Sequence, residues 1–410
     1  MSKLNELIKE LCPDGVEYKV LGELTTSINI GINPRKFFKL NPDNANAFYV
    51  TVRELNGLKG VKCYDKTDKI SMEAVRIINS RANIEKGDVL FSNTGTVGKL
   101  ALVIDEPKNW GVNEGIYVIK PKREILDSRY LYYYLDSGYA YSDYSAKFTG
   151  STLKHVTQKA LLEIEIPVPP LPVQEVIVEI LDKFTELTAE LTAELTAELT
   201  ARRRQYEYYR DSLLSFGDDV EWKRMDELFE IQMCKRILKQ QTTSDGEIPF
   251  YQNGTIGKQA KLFISRELYE EMKSKYKLPK KGEILLSTAG TVGRAVVYDG
   301  EEAFFQDSNV VWLNNNEELI TNEFLFHYCK SMPWKIPSRG TIKHLHNYMI
   351  AETLVPILPK ERQLKVSQIL DRFESLCNDI TSGLPAEIEV RQKQYEYYRD
   401  TLLTFKRKEA

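Results

Sequence analysis

Apolar residues fall at helical spacing in the first dozen positions. Leu4, Leu7, Ile8 and Leu11 share one face, and Cys12-Pro13-Asp14-Gly15 then ends the pattern. Over residues 16–150 the period changes. Short apolar runs at 47–53, 88–92, 100–104 and 116–119 predict strands, punctuated by turn residues such as Asn33-Pro34, Asn41-Pro42, Asn56-Gly57 and Gly95. Residues 128–141 carry tyrosines at helical spacing, which predicts a helix with its aromatic face in a core. Residues 163–172 form an extended segment broken by prolines. From 172 to 214 the pattern is helical again, and Thr-Ala-Glu-Leu occupies 188–191, 192–195 and 196–199. A four-residue repeat advances about 400° around a helix, so Leu187, Leu191, Leu195 and Leu199 drift by about 40° per unit and make a slowly winding stripe. One helix cannot bury that stripe alone. Strand candidates return at 283–287, 294–298 and 309–313, followed by a second helical stretch at 361–405 carrying Leu364, Ile369, Leu370, Phe373, Leu376 and Ile380. Ser382-Gly383-Leu384-Pro385 predicts a break there, with Pro385 near the first position of a restarted helix.

This succession is one unit written twice. Residues 205–216 read QYEYYRDSLLSF and residues 394–405 read QYEYYRDTLLTF, a spacing of 189. At that spacing Ile180-Leu181-Asp182-Lys183-Phe184 lies on Ile369-Leu370-Asp371-Arg372-Phe373, Gln174 on Gln363, and Pro167 on Pro356. Upstream the copies correspond at other offsets: Lys86-Gly87-Asp88-Val89-Leu90 with Lys281-Gly282-Glu283-Ile284-Leu285, and Val16-Glu17-Tyr18-Lys19 with Val220-Glu221-Trp222-Lys223. Such duplication predicts a pseudo-two-fold molecule: an α/β protein with two mixed α/β domains joined by two long antiparallel helices. The two helices would pair as a coiled coil and hold the domains apart. The tails are nearly identical while the upstream interiors diverge, a pattern suited to two readers of different targets on one scaffold.

Composition adds bounds. The 410 residues, 42% hydrophobic and 28% charged, suit two or three soluble domains. A formal net charge of −3 gives no bulk attraction to nucleic acid, so any such surface must come from local placement of cations and polar groups. Cys12, Cys63, Cys234, Cys329 and Cys377 form no CxxC pair, which fits a reducing cytoplasm and points to neither disulfides nor zinc. No apolar run reaches membrane-span length, and the N-terminal segment lacks the features of a signal peptide.

The sharpest repeated local signal is Phe91-Ser92-Asn93-Thr94-Gly95-Thr96-Val97-Gly98-Lys99, matched by Leu286-Ser287-Thr288-Ala289-Gly290-Thr291-Val292-Gly293-Arg294. Its glycines suit a hairpin that needs tight turning. Its hydroxyls and terminal cation equally suit phosphate or base-edge contacts, through Thr94, Thr96 and Lys99 and through Thr288, Thr291 and Arg294. It is no phosphate-cradling P-loop, because no GK[ST] follows. A second cluster, Gly150-Ser151-Thr152-Leu153-Lys154-His155, is matched by Gly340-Thr341-Ile342-Lys343-His344 and reads as a loop that meets an anion. Metal ligation by His344 and His346 lacks a carboxylate or cysteine at ligand spacing. The run Lys273, Lys275, Lys277, Lys280, Lys281 fits a solvated face or a phosphate-contacting edge. A methyltransferase would need a cofactor-binding glycine motif and an Asn/Asp-Pro-Pro-aromatic tetrapeptide, and Asn41-Pro42-Asp43-Asn44 lacks the second proline and the aromatic. There is no Walker motif, helicase signature or nuclease carboxylate-lysine cluster, so no catalytic residue is assigned.

The chain resembles the specificity subunit of a type I restriction–modification system, of the branch with TAEL repeats. The resemblance spans nearly the whole length. It rests on Leu7-Ile8-Lys9-Glu10-Leu11-Cys12-Pro13-Asp14-Gly15-Val16-Glu17-Tyr18, the paired TVG turns, Ile166-Pro167-Val168-Pro169-Pro170-Leu171-Pro172 with Gln174, the TAEL repeats and the doubled QYEYYRD. The second copy departs at Pro356-Ile357-Leu358-Pro359, which lacks the double proline. The resemblance implies target-recognition domains at 1–160 and 218–350, each reading half of a split site in double-stranded DNA. It implies helical regions at 161–217 and 351–410 that space the domains and dock two adenine-N6 methyltransferase subunits. Restriction subunits with ATP-driven translocation would complete the assembly, with S-adenosylmethionine, ATP and Mg bound by those partners and no cofactor by this chain. The rival reading is a stand-alone or fused restriction enzyme or methyltransferase.

Overall fold

The computed structural model describes every residue except 1, 35–36, 151–152, 218, 308, 335–343, 379–382 and 410. The chain divides into two compact units, Met1–Glu194 with Ile388–Ala410, and Leu195–Glu387. One boundary falls inside the TAEL array. The other falls inside the last helix, so the C-terminal tail completes the first unit.

Each unit contains the same three sheets. In the first, Glu17–Val20 pairs antiparallel with Glu165–Val168; in the second, Glu221–Arg224 pairs antiparallel with Leu354–Ile357. A four-stranded antiparallel sheet runs Thr25–Ile30, Ile116–Pro121, Val89–Ser92, Leu100–Leu102, and its repeat runs Glu230–Met233, Val310–Asn314, Ile284–Ser287, Ala295–Val297. A three-stranded sheet has Ala47–Val50 between antiparallel Lys69–Ile70 and parallel Trp110–Val112; Ile248–Tyr251 stands likewise between Leu262–Ile264 and Phe304–Phe305. The apolar run at 47–53 ends as a strand at Val50. Beyond it Thr51 caps a 3-10 turn, its N–H donating to Glu54 Oε2 at 2.9 Å.

The tyrosine-rich stretch forms two helices, Ser128–Leu135 and Gly138–Ala146, where one was expected. Asp127 caps the first. Ser137 caps the second by accepting from Ala140 N–H, so the chain restarts in mid-pattern. Tyr130, Tyr133, Tyr134 and Tyr144 are buried, as a core-facing stripe requires, and Tyr139 and Tyr141 are exposed. The buried hydroxyls find partners: Tyr130 donates to Pro167 O at 3.0 Å, Tyr134 to Glu165 O at 2.8 Å and Tyr133 to Asp182 at 2.8 Å.

The long helix spans Leu171–Leu213. Its leucine stripe is unevenly covered: Leu195 is buried, Leu191 and Leu199 are half-buried, and Leu187 is 60% exposed. The second helical stretch is two helices, Lys360–Asn378 and Leu384–Leu402, with Pro385 one residue into the restart. Ser382 lies outside the described residues. In the first unit Phe184 packs on Tyr398 (ring centroids 6.0 Å) and Thr185 bonds Tyr395 at 3.0 Å, an antiparallel order. In the second unit the repeat-related pair Phe373 and Tyr209 stacks at 5.3 Å. The tail is further tied into the first unit by Arg399 on Asp136 at 2.7 Å and by Tyr18 donating to Phe405 O at 2.9 Å. A backbone bond from Val16 N–H to Lys406 O and another from Lys408 N–H to Val16 O, both 2.9 Å, complete the attachment.

At the start of each helical region sits a fully buried glutamine. Gln174 accepts from Asp127 N–H at 2.8 Å and donates to Ile125 O at 2.8 Å and Pro169 O at 2.7 Å. Gln363 accepts from Thr321 N–H at 2.8 Å and donates to Leu319 O and Leu358 O, both at 2.7 Å. Replacing either by leucine strands three backbone groups, each costing about 1–3 kcal/mol when buried without a partner. Gln174→Leu and Gln363→Leu are each expected to destabilise their unit by about 3 kcal/mol or more, measured by urea unfolding.

In the second unit His327 is fully buried, with Nε2 at 2.7 Å from Asp371 and the Lys330–Glu374 ion pair alongside. Burial pushes its imidazole below the ordinary range, against the pull of Asp371. The unfolded chain, with an imidazole pKa of about 6.5, therefore takes up a proton before the folded one does. Stability from this group is complete above about pH 6.5, falls as the pH drops toward the lower folded value, and levels off below it. Tryptophan fluorescence reports mainly the second unit, which holds Trp222, Trp312 and Trp334 against Trp110 in the first. Urea midpoints followed this way should fall on acidification below about pH 6.5, and His327→Gln should flatten that slope.

Candidate nucleic-acid interface

The repeated turn is held by a serine whose role no sequence window reveals. In the first unit Ser92 Oγ donates to Thr96 O at 2.5 Å and accepts from Lys99 N–H at 2.7 Å, while Ser92 O accepts from Gly98 N–H at 2.9 Å. In the second unit Ser287 Oγ donates to Thr291 O, accepts from Arg294 N–H at 3.2 Å, and Ser287 O accepts from Gly293 N–H at 2.7 Å. Gly98 and Gly293 adopt φ of +89° and +77°, and a Cβ on Gly98 would stand 2.2 Å from the Tyr144 hydroxyl. The glycines thus have a structural reason of their own.

The turn and the Lys-His cluster, separate in sequence, meet in each unit. Thr94 Oγ1 lies 2.9 Å from His155 Nδ1, Gly95 N–H donates to Lys154 O at 2.9 Å, and Val156 N–H donates to Asn93 O at 3.0 Å. In the second unit Ala289 bridges His344, and Leu345 N–H donates to Thr288 O at 2.8 Å. The resulting knob presents Thr96, Lys154 and Thr291 to solvent. Thr94, Lys99, His155, Arg294 and His344 are half-buried, and Thr288 is buried. Ser151, Thr152, Thr341 and Lys343 lie outside the described residues.

Cations at the knob differ in commitment. Lys99 Nζ donates to Arg53 O at 3.3 Å, and Lys154 Nζ stands 5.5 Å over the Phe148 ring. Arg294 makes no side-chain hydrogen bond or ion pair with the described residues. His344 and His346 stack with ring centroids 4.6 Å apart, and Tyr348 continues the stack at 5.7 Å. In the lysine run, Lys273 lies 3.7 Å from Glu302, Lys275 bonds Glu271 at 2.7 Å, and Lys277 bonds Glu230 at 3.0 Å. Those three form a charge-matched face. Among the described residues no helix is long and apolar enough to cross a membrane.

The family model described as the type I restriction modification DNA specificity domain matches residues 13–201 and again 217–390. A Haemophilus influenzae chain named as a candidate type I restriction enzyme specificity subunit is 47% identical over 302 residues, covering 73% of this chain and 77% of its own. A type I restriction enzyme specificity subunit of Escherichia coli is 32% identical over 310 residues, covering 69% of this chain and 72% of its own. The fold is shared with a solved chain from work on assembly and conformational transition of a type I restriction–modification system. That likeness has a TM-score of 0.68 at 17% identity, over 95% of this chain and 98% of the other. Two copies of the matching unit, one per compact body, place this chain in the family of type I restriction–modification DNA specificity subunits.

Proposed function

We propose that this DNA-recognition subunit reads a split, asymmetric site, with residues 1–160 reading one half and 218–350 the other. The helical regions 161–217 and 351–410 would set the gap between half-sites and dock two adenine-N6 methyltransferase subunits. Restriction and translocase subunits would join that core in the cytoplasm. S-adenosylmethionine, ATP and Mg would be bound by the partners, and this chain would perform no chemistry itself. One observation supports the reading above others: the same turn-and-histidine knob recurs in both units at the same place in the sheet, while the surrounding interiors differ.

Within this reading the residues that face DNA at the knobs are Thr94, Thr96, Lys99, Ser151, Thr152, Lys154 and His155 in the first unit. Thr288, Thr291, Arg294, Thr341, Lys343 and His344 are their counterparts in the second. Knobs of like shape on both halves suit backbone positioning. Lys99→Ala and Arg294→Ala should each weaken binding to all duplexes and lower the salt slope of log K by about one. Unchanged affinity and slope in both variants would leave the turns with a structural role only.

The spacing role rests on the TAEL array, with Leu187, Leu191, Leu195 and Leu199 as the spacer stripe. One extra unit adds about 6 Å of helix and rotates the downstream helix by about 40°. Adjacent base pairs are about 3.4 Å and about 34–36° apart, so one repeat corresponds to one base pair and at most nearly two. Methylation mapping of complexes with one TAEL unit more or fewer should show a gap changed by about one base pair and intact half-sites. A three-residue insertion turns the helix by about 300° and should abolish site-specific methylation. An unchanged gap in the four-residue variants, or altered half-site bases, would sink the spacing role.

A further inference from the structure

The three-stranded sheets of the two units share one register: Ala47 pairs with Ile70 as Ile248 pairs with Ile264, and Asn113 N–H donates to Val50 O at 2.9 Å as Gln306 N–H donates to Tyr251 O at 2.8 Å. At the ends of these strands the first unit carries Thr51 and Asn113, and both side chains are used locally. Thr51 Oγ1 donates to Glu54 Oε2 at 2.7 Å, and Asn113 Oδ1 accepts from Gly115 N–H at 3.1 Å. The equivalent residues of the second unit are Gln252 and Gln306, which line a groove of about 600 Å³.

Gln252, Gln306, Asp307 and Asn309 line this groove, with Arg236 and Lys239 from the preceding loop. The three amide side chains are half-buried and make no hydrogen bond to a described residue. Arg236 and Lys239 are exposed and have no ion pair among the described residues. The groove adjoins the repeated knob: Asn309 O accepts from Thr288 N–H at 3.0 Å, and Asn253 Nδ2 donates to Ala289 O at 3.0 Å. None of the three amides has a polar atom shut off from water, so each can exchange water for another partner. Paired amide donors and acceptors match an adenine edge, an aspartate matches the cytosine amino group, and flanking cations match phosphate.

Resting on the DNA-recognition reading, we propose that this groove, through the amides of Gln252, Gln306 and Asn309, determines the base sequence of the half-site read by the second unit. Arg236 and Lys239 hold the neighbouring backbone. The first unit reads its own half-site with other residues, because Thr51 and Asn113 at the matching place are bonded within their own turns.

The test uses the full chain in complex with its methyltransferase partner. Gln252→Ala/Gln306→Ala removes both amides and leaves the backbone bond from Gln306 N–H to Tyr251 O available; Asn309→Ala is the second variant. Circular dichroism checks folding, methylation mapping reads specificity, and binding is measured on cognate and scrambled duplexes. Both variants should relax one or two base positions in one half-site and leave the other half-site intact. Cognate affinity should fall roughly 5- to 100-fold, with affinity for scrambled DNA unchanged. An unchanged motif with unchanged cognate affinity would overturn the assignment, as would equal losses on both duplexes or changes in both half-sites. If the wild-type complex shows no site-specific methylation, the DNA-recognition reading itself fails and takes the groove assignment with it.

Discussion

A glutamine with no exposed surface must place its amide N–H groups and its carbonyl on partners, or its burial costs more than it returns. Gln174 and Gln363 meet that constraint in the same way, each bonding the loop before a core helix and the last carbonyl of the exit strand region. The side chain lies in the first turn of a long helix, so these bonds fix where the helix leaves its own sheet. Everything downstream inherits that direction. The strand pairs Glu17–Val20 with Glu165–Val168 and Glu221–Arg224 with Leu354–Ile357 brace the same exit from the other side. A leucine in place of the glutamine would satisfy hydropathy and lose the direction.

On this common frame the units have diverged in how they use charge. Asp182 takes a hydrogen bond from Tyr133 and an ion pair from Arg129, whereas its repeat Asp371 faces the buried His327. Asp136 receives Arg399 of the C-terminal tail; the position matched to it in the second unit is Lys330, which pairs with Glu374. Arg210, the repeat of Arg399, pairs with Asp211 and lies 5.9 Å from the Tyr206 ring, just as Arg399 pairs with Asp400 and lies 5.8 Å from the Tyr395 ring. A carboxylate against one tail and an ammonium at the matching place give the nearly identical tails different electrostatic seats.

Much of this was legible in the sequence because it depends on local pattern. The duplication, the long helix, eight of the eighteen described strands and the break before Pro385 all come from period and punctuation, while strands such as Thr25–Ile30 and Glu230–Met233 carry too little pattern of their own. The split tyrosine helix was not, since Ser137 competes with helix continuation only once Ala140 N–H is within reach of its hydroxyl. The strand at Ala47–Val50 stopped early for a similar reason, as the Thr51 and Glu54 side chains satisfy the backbone outside the ladder. The meeting of the turn with His155 or His344 is a long-range bridge that no window of sequence contains. The covering of the leucine stripe also escaped periodicity, which gives its direction but not its neighbours, so Leu187 is left exposed. The groove of the second unit was invisible because Gln252 and Gln306 look like ordinary polar punctuation until the pairing of their strands brings them to one groove.

The comparison of the two units bears on where discrimination between sequences can reside. The turns repeat in backbone path, serine staple and terminal cation, so in the proposed role they would act alike at both half-sites. A feature common to both units can add affinity and fix register, but it cannot make one half-site differ from the other. Difference must come from positions where matched residues change chemical class. The exchange of Thr51, a hydroxyl bonded within its own turn, for the half-buried amide of Gln252 is such a position, and it lies directly beside the repeated knob. A knob that sets the duplex at a constant height would place base edges at a constant distance from that wall. On the proposed assignment, changing the wall would change the sequence read, and the glutamine bonds that direct the helices lie elsewhere in the unit.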